Sequence, residues 1–213
     1  IKYLCTEKGV KKETFCITSD KPAVHFNNPT LWEKAKNEIN KEQIDVVTAY
    51  LKERTFGNED PAGIKRDISI TDIEKYNSLK KSPYILFFAP VIHDTVSMEK
   101  DNEIGNAFEN IKKLVGKSIE FKTRLVIRCH PDEMAPINPS HFTIKKFLNE
   151  LGFLDNDYIS CLEAKEIWNG YELSKNAKAI VVYSGTLGME LPALGYSIYN
   201  LANSHYTQKG FTN

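Results

Sequence analysis

Five short, mostly apolar runs separated by helix-periodic stretches constrain residues 84–213 more than any other feature of the chain. Tyr84-Ile-Leu-Phe-Phe-Ala89 has no alternation of apolar and polar positions, as a strand covered on both faces requires. Arg124–Cys129, Tyr158–Ser160, Ala179–Tyr183 and Ser197–Asn200 read as four further strands. Between the first two runs, Ile104, Phe108, Ile111, Val115 and Ile119 recur at helical spacing. Ile144, Phe147, Leu148 and Leu151 mark a second helix, ended by Gly152. Tyr171–Lys175 is a short helical turn, and Leu187–Leu194 a helix stopped by Gly195. Strands alternating with helices predict an α/β fold, a Rossmann-like parallel sheet with helices on both faces.

Residues 1–82 have a different texture. A Lys/Glu-rich stretch over 29–80 is broken by a Gly/Asn/Asp/Pro cluster at 57–63. Leu31, Ala35 and Ile39, then Ile44, Val47 and Leu51, fit two helices or one bent helix, and Asp72–Leu79 fits another. One strand is expected around Ala23–Phe26. The expected organisation is a mainly helical segment over 1–82, a remnant or extension of an N-terminal domain, and a Rossmann-like domain over 83–213. Ile1 in place of a methionine and the stop after Asn213 lead us to expect a piece of a longer protein, inactive as an isolated fragment.

Charge excludes some functions. Lys+Arg and Asp+Glu are both 28, so nothing favours a nucleic-acid groove or a polybasic arm. Cys5, Cys16, Cys129 and Cys161 form no CxxC pair and no short metal-ligand spacing, so no metal is expected. The same cysteine usage, with no signal peptide, fits a reducing cytoplasm. The longest apolar run, Tyr84–Val91, is far short of a membrane span.

In open α/β sheets, ligands bind beyond the carboxyl ends of the strands. Three segments fall there. Arg128-Cys-His130-Pro131-Asp-Glu133 can present guanidinium and imidazole donors to a phosphate or carboxylate. Its plainer reading is a strand-end turn in which His130 satisfies a backbone carbonyl. Tyr183-Ser184-Gly185-Thr186-Leu187-Gly188-Met189-Glu190 runs from a strand directly into a helix. Free amides and the positive helix end favour an anion there, with Ser184 and Thr186 as hydroxyl donors and Gly185 and Gly188 allowing close approach. The plainer reading is an N-cap by Ser184 or Thr186, with glycine for close packing. Glu190, one turn in, faces either solvent or a ligand hydroxyl. His93-Asp94 follows the first strand and is the weaker pair, a general base or a cap.

These residues resemble the capsular polysaccharide biosynthesis family, which includes the bacterial β-Kdo transferases of the GT-B glycosyltransferase type. The resemblance rests on Arg128-Cys-His-Pro131, Tyr171-Glu-Leu173, Tyr183–Glu190, Ala193-Leu-Gly195 and His205-Tyr206-Thr-Gln-Lys209-Gly210-Phe-Thr212. Cys129 stands where the family usually has proline, and Tyr196 where a basic residue is frequent. The resemblance implies that residues 84–213 are the donor-binding half of such an enzyme. His130 and the Ser184–Thr186 loop would then hold the donor phosphate, with Gly188 in the same turn. Arg128 would pair with a phosphate or sugar carboxylate, and Glu190 would reach the ribose. The loop with His205, Tyr206, Lys209 and Gly210 would close near the sugar. It further implies no cofactor, a CMP-linked sugar as substrate, a glycan or glycolipid acceptor, and peripheral association with a membrane export complex on the inner face of the plasma membrane. Readings of a different class are a polyol-phosphate transferase or sugar epimerase on the same fold, and a non-catalytic nucleotide-binding module.

Overall fold

The computed structural model describes residues 4–8, 15–19, 33, 36–56, 73–92, 106–136, 139–166, 168–202 and 204–213. The strand expected at Ala23–Phe26, the cluster at 57–63 and the pair His93-Asp94 lie outside the described residues. The chain divides into two compact units, Ile1–Ile68 and Ser69–Asn213.

In the first unit, β1 (Leu4–Lys8) and β2 (Phe15–Ser19) pair antiparallel, with Leu4 opposite Ser19 and Lys8 opposite Phe15. The sequence reading places its one strand in this segment later, at Ala23–Phe26, and does not anticipate this pair. Phe15-Cys-Ile-Thr-Ser19 is rich in residues that suit a pleated strand, a preference that tertiary pairing realises. Helix α1 (Lys41–Phe56) starts at a reciprocal cap. The Asn40 side chain accepts from the Gln43 amide, and the Gln43 side chain accepts from the Asn40 amide, both at 2.9 Å. That cap, after the non-helical residues 37–40, excludes one bent helix running through this point.

The second unit is built on one sheet. Helix α2 (Ile73–Lys80) leads into β3 (Tyr84–Phe88), followed by α3 (Ala107–Glu120) and β4 (Leu125–Arg128). Then come α4 (Ile144–Glu150), β5 (Ile159–Leu162), α5 (Gly170–Ser174), β6 (Ala177–Val182), α6 (Leu187–Ala193) and β7 (Ile198–Asn200). The strand order is β5-β4-β3-β6-β7, all parallel. This is the Rossmann-like α/β architecture read from the alternating runs.

Alternation along the strands sorts the core. Tyr84, Leu86, Val126 and Leu162 pack with Leu173 of α5, Trp168 and Leu79 of α2. On the same face, Ile180, Val182 and Ile198 pack with Tyr171 of α5, Leu191 of α6 and Tyr206. Right-handed crossovers put α3 and α4 on the opposite face, with Ile111, Val115, Ile144 and Leu148 fully buried. Helix α2 therefore belongs to the sheet's own unit: Leu79 is only 4% exposed. Arg124 adds a tie, its Nη1 donating to the carbonyl oxygens of Leu79 (3.2 Å) and Ser82 (3.0 Å).

Helix α6 ends as its glycine suggested. Gly195 takes a φ of +90°, its amide reaches Pro192 O at 2.9 Å, and the Tyr196 amide reaches Leu191 O at 3.0 Å. Those two bonds are a Schellman motif. Beyond β7 the chain folds back on the sheet. The Asn213 amide donates to Ile198 O (3.0 Å) and the Asn200 amide donates to Asn213 O (2.9 Å), the pattern of a parallel bridge centred on Tyr199.

Strand order sets where a ligand can sit. From β3 the chain moves outward through β4 and β5, then returns to β6 and β7 on the other side. The crevice beyond the carboxyl ends of β3 and β6 is the switch point of the sheet. Phe88 is level with Arg128 on one side and Val182 on the other. The ends of β4 and β6 are thus separated by a single strand, roughly 10 Å.

Candidate functional site

The segment leaving β6 forms the floor of the switch point. Ser184 is half-buried, while Gly185 and Thr186 are exposed. The first helical bonds are Gly188 N to Gly185 O (2.9 Å), Met189 N to Thr186 O (2.9 Å) and Glu190 N to Thr186 O (3.1 Å). The amides before them are those that a helix start leaves outside its own ladder. Thr186 stands at the N-cap position but makes no side-chain cap there.

The two glycines of this turn differ. A Cβ at Gly185 would meet nothing within 4 Å. Gly185 is not among the positive-φ glycines, so its backbone suits other residues too. Gly188 is buried, and a Cβ there would overlap the hydroxyl and ring of Tyr206. The Tyr206 hydroxyl donates to Gly185 O at 3.1 Å. Tyr206 thus straps the segment after β7 onto the turn after β6, joining two stretches that the resemblance assigned to one site. Burial pushes its phenol up to about 12, so it acts as a neutral donor. Glu190 is 3% exposed and accepts from the Tyr171 hydroxyl at 2.7 Å. That bond orients the carboxylate from α5, a contact that sequence spacing does not reveal.

The segment after β7 is held by its own polar network. Asn200 Nδ2 donates to Ser204 Oγ (2.9 Å) and Thr207 Oγ1 (2.7 Å), and Thr207 Oγ1 donates to Ala202 O (3.1 Å). The His205 ring stands edge-on to Tyr206 at 5.0 Å between centroids. Burial lowers the His205 pKa, which makes the ring a neutral donor-acceptor near neutrality. Gln208 and Gly210 both take positive φ, at 60° and 90°, and turn the chain around the half-buried Lys209.

The segment after β4 lies on the other side of β3. His130 caps the 3₁₀ turn Pro131–Met134, its Nδ1 accepting from the Asp132 amide at 3.2 Å. An accepting Nδ1 assigns the proton of the neutral ring to Nε2. Arg128 is buried, and its Nη1 donates to Cys129 O (2.7 Å) and Glu163 O (2.9 Å), tying the ends of β4 and β5. Burial is the main reason its pKa falls below the usual guanidinium value. Glu133, 1% exposed, reaches across the loop so that Oε1 accepts from the Ile144 amide at 2.8 Å and caps α4. Burial raises its pKa, against the pull of that amide and of Arg128. Among the described residues no group of three or more His, Cys, Asp or Glu side chains is arranged to hold a metal ion. Among them, too, no helix is long and apolar enough to cross a membrane.

Fold and edge geometry together define the class: a Rossmann-like α/β unit of the kind that forms one half of a GT-B fold. Among solved structures the chain is similar to the KpsC β-Kdo 2,4 transferase of Thermosulfurimonas dismutans, with a TM-score of 0.63 at 14% identity. The match covers 99% of this chain, which spans 64% of that transferase chain. Lower-scoring matches are a UDP complex of S. aureus MnaA (TM-score 0.44, 17% identity, 63% of this chain and 33% of that one) and a Methanocaldococcus jannaschii UDP-GlcNAc 2-epimerase (TM-score 0.45, 18% identity, 82% and 44%). No protein-family model and no curated protein sequence matches the chain.

Proposed function

We propose that this chain is the donor-binding half of a GT-B glycosyltransferase that uses a nucleotide-activated sugar, CMP-linked, in building a bacterial surface polysaccharide. One observation carries the reading. Arg128–Pro131, Tyr183–Glu190 and His205–Thr212, three of the segments that resemble the β-Kdo transferase family, follow the carboxyl ends of strands in a sheet whose fold is similar to that of a β-Kdo transferase. Residue pattern and backbone likeness are independent supports, because 14% identity contributes little to the second.

In this reading the donor phosphate lies against the Ser184–Thr186 turn, with the Nε2 proton of His130 directed at it from the β4 side. Glu190, oriented by Tyr171, serves the ribose, and the segment with His205, Tyr206, Lys209 and Gly210 covers the sugar. Breaking the bond between the anomeric carbon and the phosphate oxygen leaves added negative charge on the nucleotide. Preorganised amides, hydroxyls and the imidazole N–H stabilise that charge without reorganising. Acceptor, export complex and catalytic base belong to the whole protein.

Titration of the chain with CMP-, UDP-, GDP- and CDP-linked sugars tests it. Saturable binding is expected, tightest for the CMP donor. His130→Ala should weaken it by roughly 1.5–3 kcal/mol, the range for a hydrogen bond to a charged group, and lower the melting temperature only slightly, through loss of its cap on the Asp132 amide. A wild-type affinity paired with a lowered melting temperature would make His130 a turn residue. Absence of saturable binding to every nucleotide would sink the reading.

A further inference from the structure

Two cysteines separated by 32 positions in the chain meet at the carboxyl edge of the sheet, their sulfurs 3.5 Å apart. Cys161 lies within β5, where its partner across the ladder is Ile127. Cys129 is the first residue past β4, and its amide donates to Leu162 O at 2.9 Å. Both are free thiols, Cys129 fully buried and Cys161 partly exposed. A cavity of about 40 Å³ opens beside Cys129, lined also by Glu133, Met134, Thr143, Lys145 and Glu163. It is far too small for a nucleotide.

We propose that Cys129 and Cys161 form a dithiol that a peroxide-class oxidant converts reversibly to a disulfide, and that closing the bond displaces the carboxyl end of β4. The partly exposed Cys161 meets the oxidant first. Its sulfur takes one oxygen from hydrogen peroxide, giving a sulfenic acid and releasing one water. The Cys129 sulfur then attacks the Cys161 sulfur. The sulfenic hydroxyl leaves with the Cys129 proton as a second water, and the two thiols have together lost two electrons to the peroxide.

Register supplies the displacement. Cys129 lies two positions beyond Ile127, so the cysteines are diagonal rather than directly opposed. Diagonal neighbours on one sheet face have Cα atoms roughly 7–8 Å apart, whereas bridged cysteines need about 4.4–6.8 Å. Cys161 is held inside the ladder, while Cys129 sits at its end, its amide making the last bond to β5 at Leu162 O. Cys129 is therefore the partner that moves, and Arg128 and His130 move with it.

The test treats the full 213-residue chain with hydrogen peroxide, blocks residual thiols and maps unreduced peptides by mass spectrometry. Expected is a linked peptide pair containing Cys129 and Cys161, lighter by two hydrogens and separated again by dithiothreitol. Hydrogen exchange over residues 129–134 should quicken on oxidation and recover on reduction. Cys161→Ser, at a position that already touches solvent, should abolish the linked pair. If that variant misfolds, dithiothreitol reversal in the wild-type chain still decides. Linkage of either cysteine to Cys5 or Cys16, overoxidation without a linked pair, or an unreacted Cys129 would overturn the proposal. A linked pair with unchanged exchange would overturn the displacement. None of these outcomes depends on whether the chain binds a nucleotide.

Discussion

Gly188 is buried beneath the ring of Tyr206, and a Cβ added there would strike the tyrosine hydroxyl. In a helix interior, alanine would normally gain about 1 kcal/mol over glycine. Here the gain is outweighed, because Tyr206 must leave both its place over the turn and its bond to Gly185 O. Gly188→Ala should destabilise the chain by roughly 1–3 kcal/mol, the usual cost of overpacking. Gly185→Ala, with open space and an ordinary backbone, should leave stability nearly unchanged. Urea denaturation of the two variants side by side measures the difference, and equal midpoints would refute it. The two glycines look alike in the sequence, and both were read as allowing an anion to approach. The packing reason for Gly188 lies 18 positions away, in a tyrosine brought back by the turn after β7. Glu133 was equally opaque, since its partner is the Ile144 amide across a loop.

Strands and helices of the second unit were legible because a parallel strand buried on both faces leaves a continuous apolar signature. Tyr84–Phe88 falls inside the run read as Tyr84–Ala89, and Leu125–Arg128 inside Arg124–Cys129. The hairpin-like pair at Leu4–Lys8 and Phe15–Ser19 escaped, because short strands with polar neighbours carry only a weak period-two signal. Among its described residues the segment after β7 has no helix or strand, yet its pH response follows from one ring. His205 has its folded pKa lowered by burial, so between that value and 6.5 the unfolded chain binds more protons than the folded one. Stability from this group is present above about pH 6.5 and is lost as pH falls through and below it. Melting temperatures between pH 7.5 and about 5.5 should decline, and His205→Gln should flatten the decline. An identical slope in the variant would exclude His205 as its source. Glu133 acts with the opposite sign at lower pH: its raised pKa lets the folded state hold the proton longer, so that contribution to stability grows as pH falls toward the usual carboxylate range.

At the scale of the molecule, the division falls between Ile68 and Ser69, whereas the composition change suggested a boundary after residue 82. The stretch between these points contributes Leu79 of α2 to the core and the carbonyls of Leu79 and Ser82 to Arg124. A chain beginning at Ser69 should therefore unfold cooperatively, and one beginning at Pro83 should be less stable by at least about 2 kcal/mol, as for loss of a buried leucine. Denaturant unfolding of both chains provides the check, and equal stabilities would return the boundary to residue 82. The bridge at Asn213 has a consequence for how copies of this sheet meet. An open sheet offers its outermost strands as templates on which a foreign strand can add. On the β7 side, the Ile198 carbonyl and the Asn200 amide, two of the groups that would recruit one, are already engaged by Asn213. On the other side β5 has β4 as its one partner among the described residues. Among the described residues the sheet is thus asymmetric toward self-association: a stray strand meets a margin partly occupied by the chain itself along β7, and one with no described strand beside it along Ile159–Leu162.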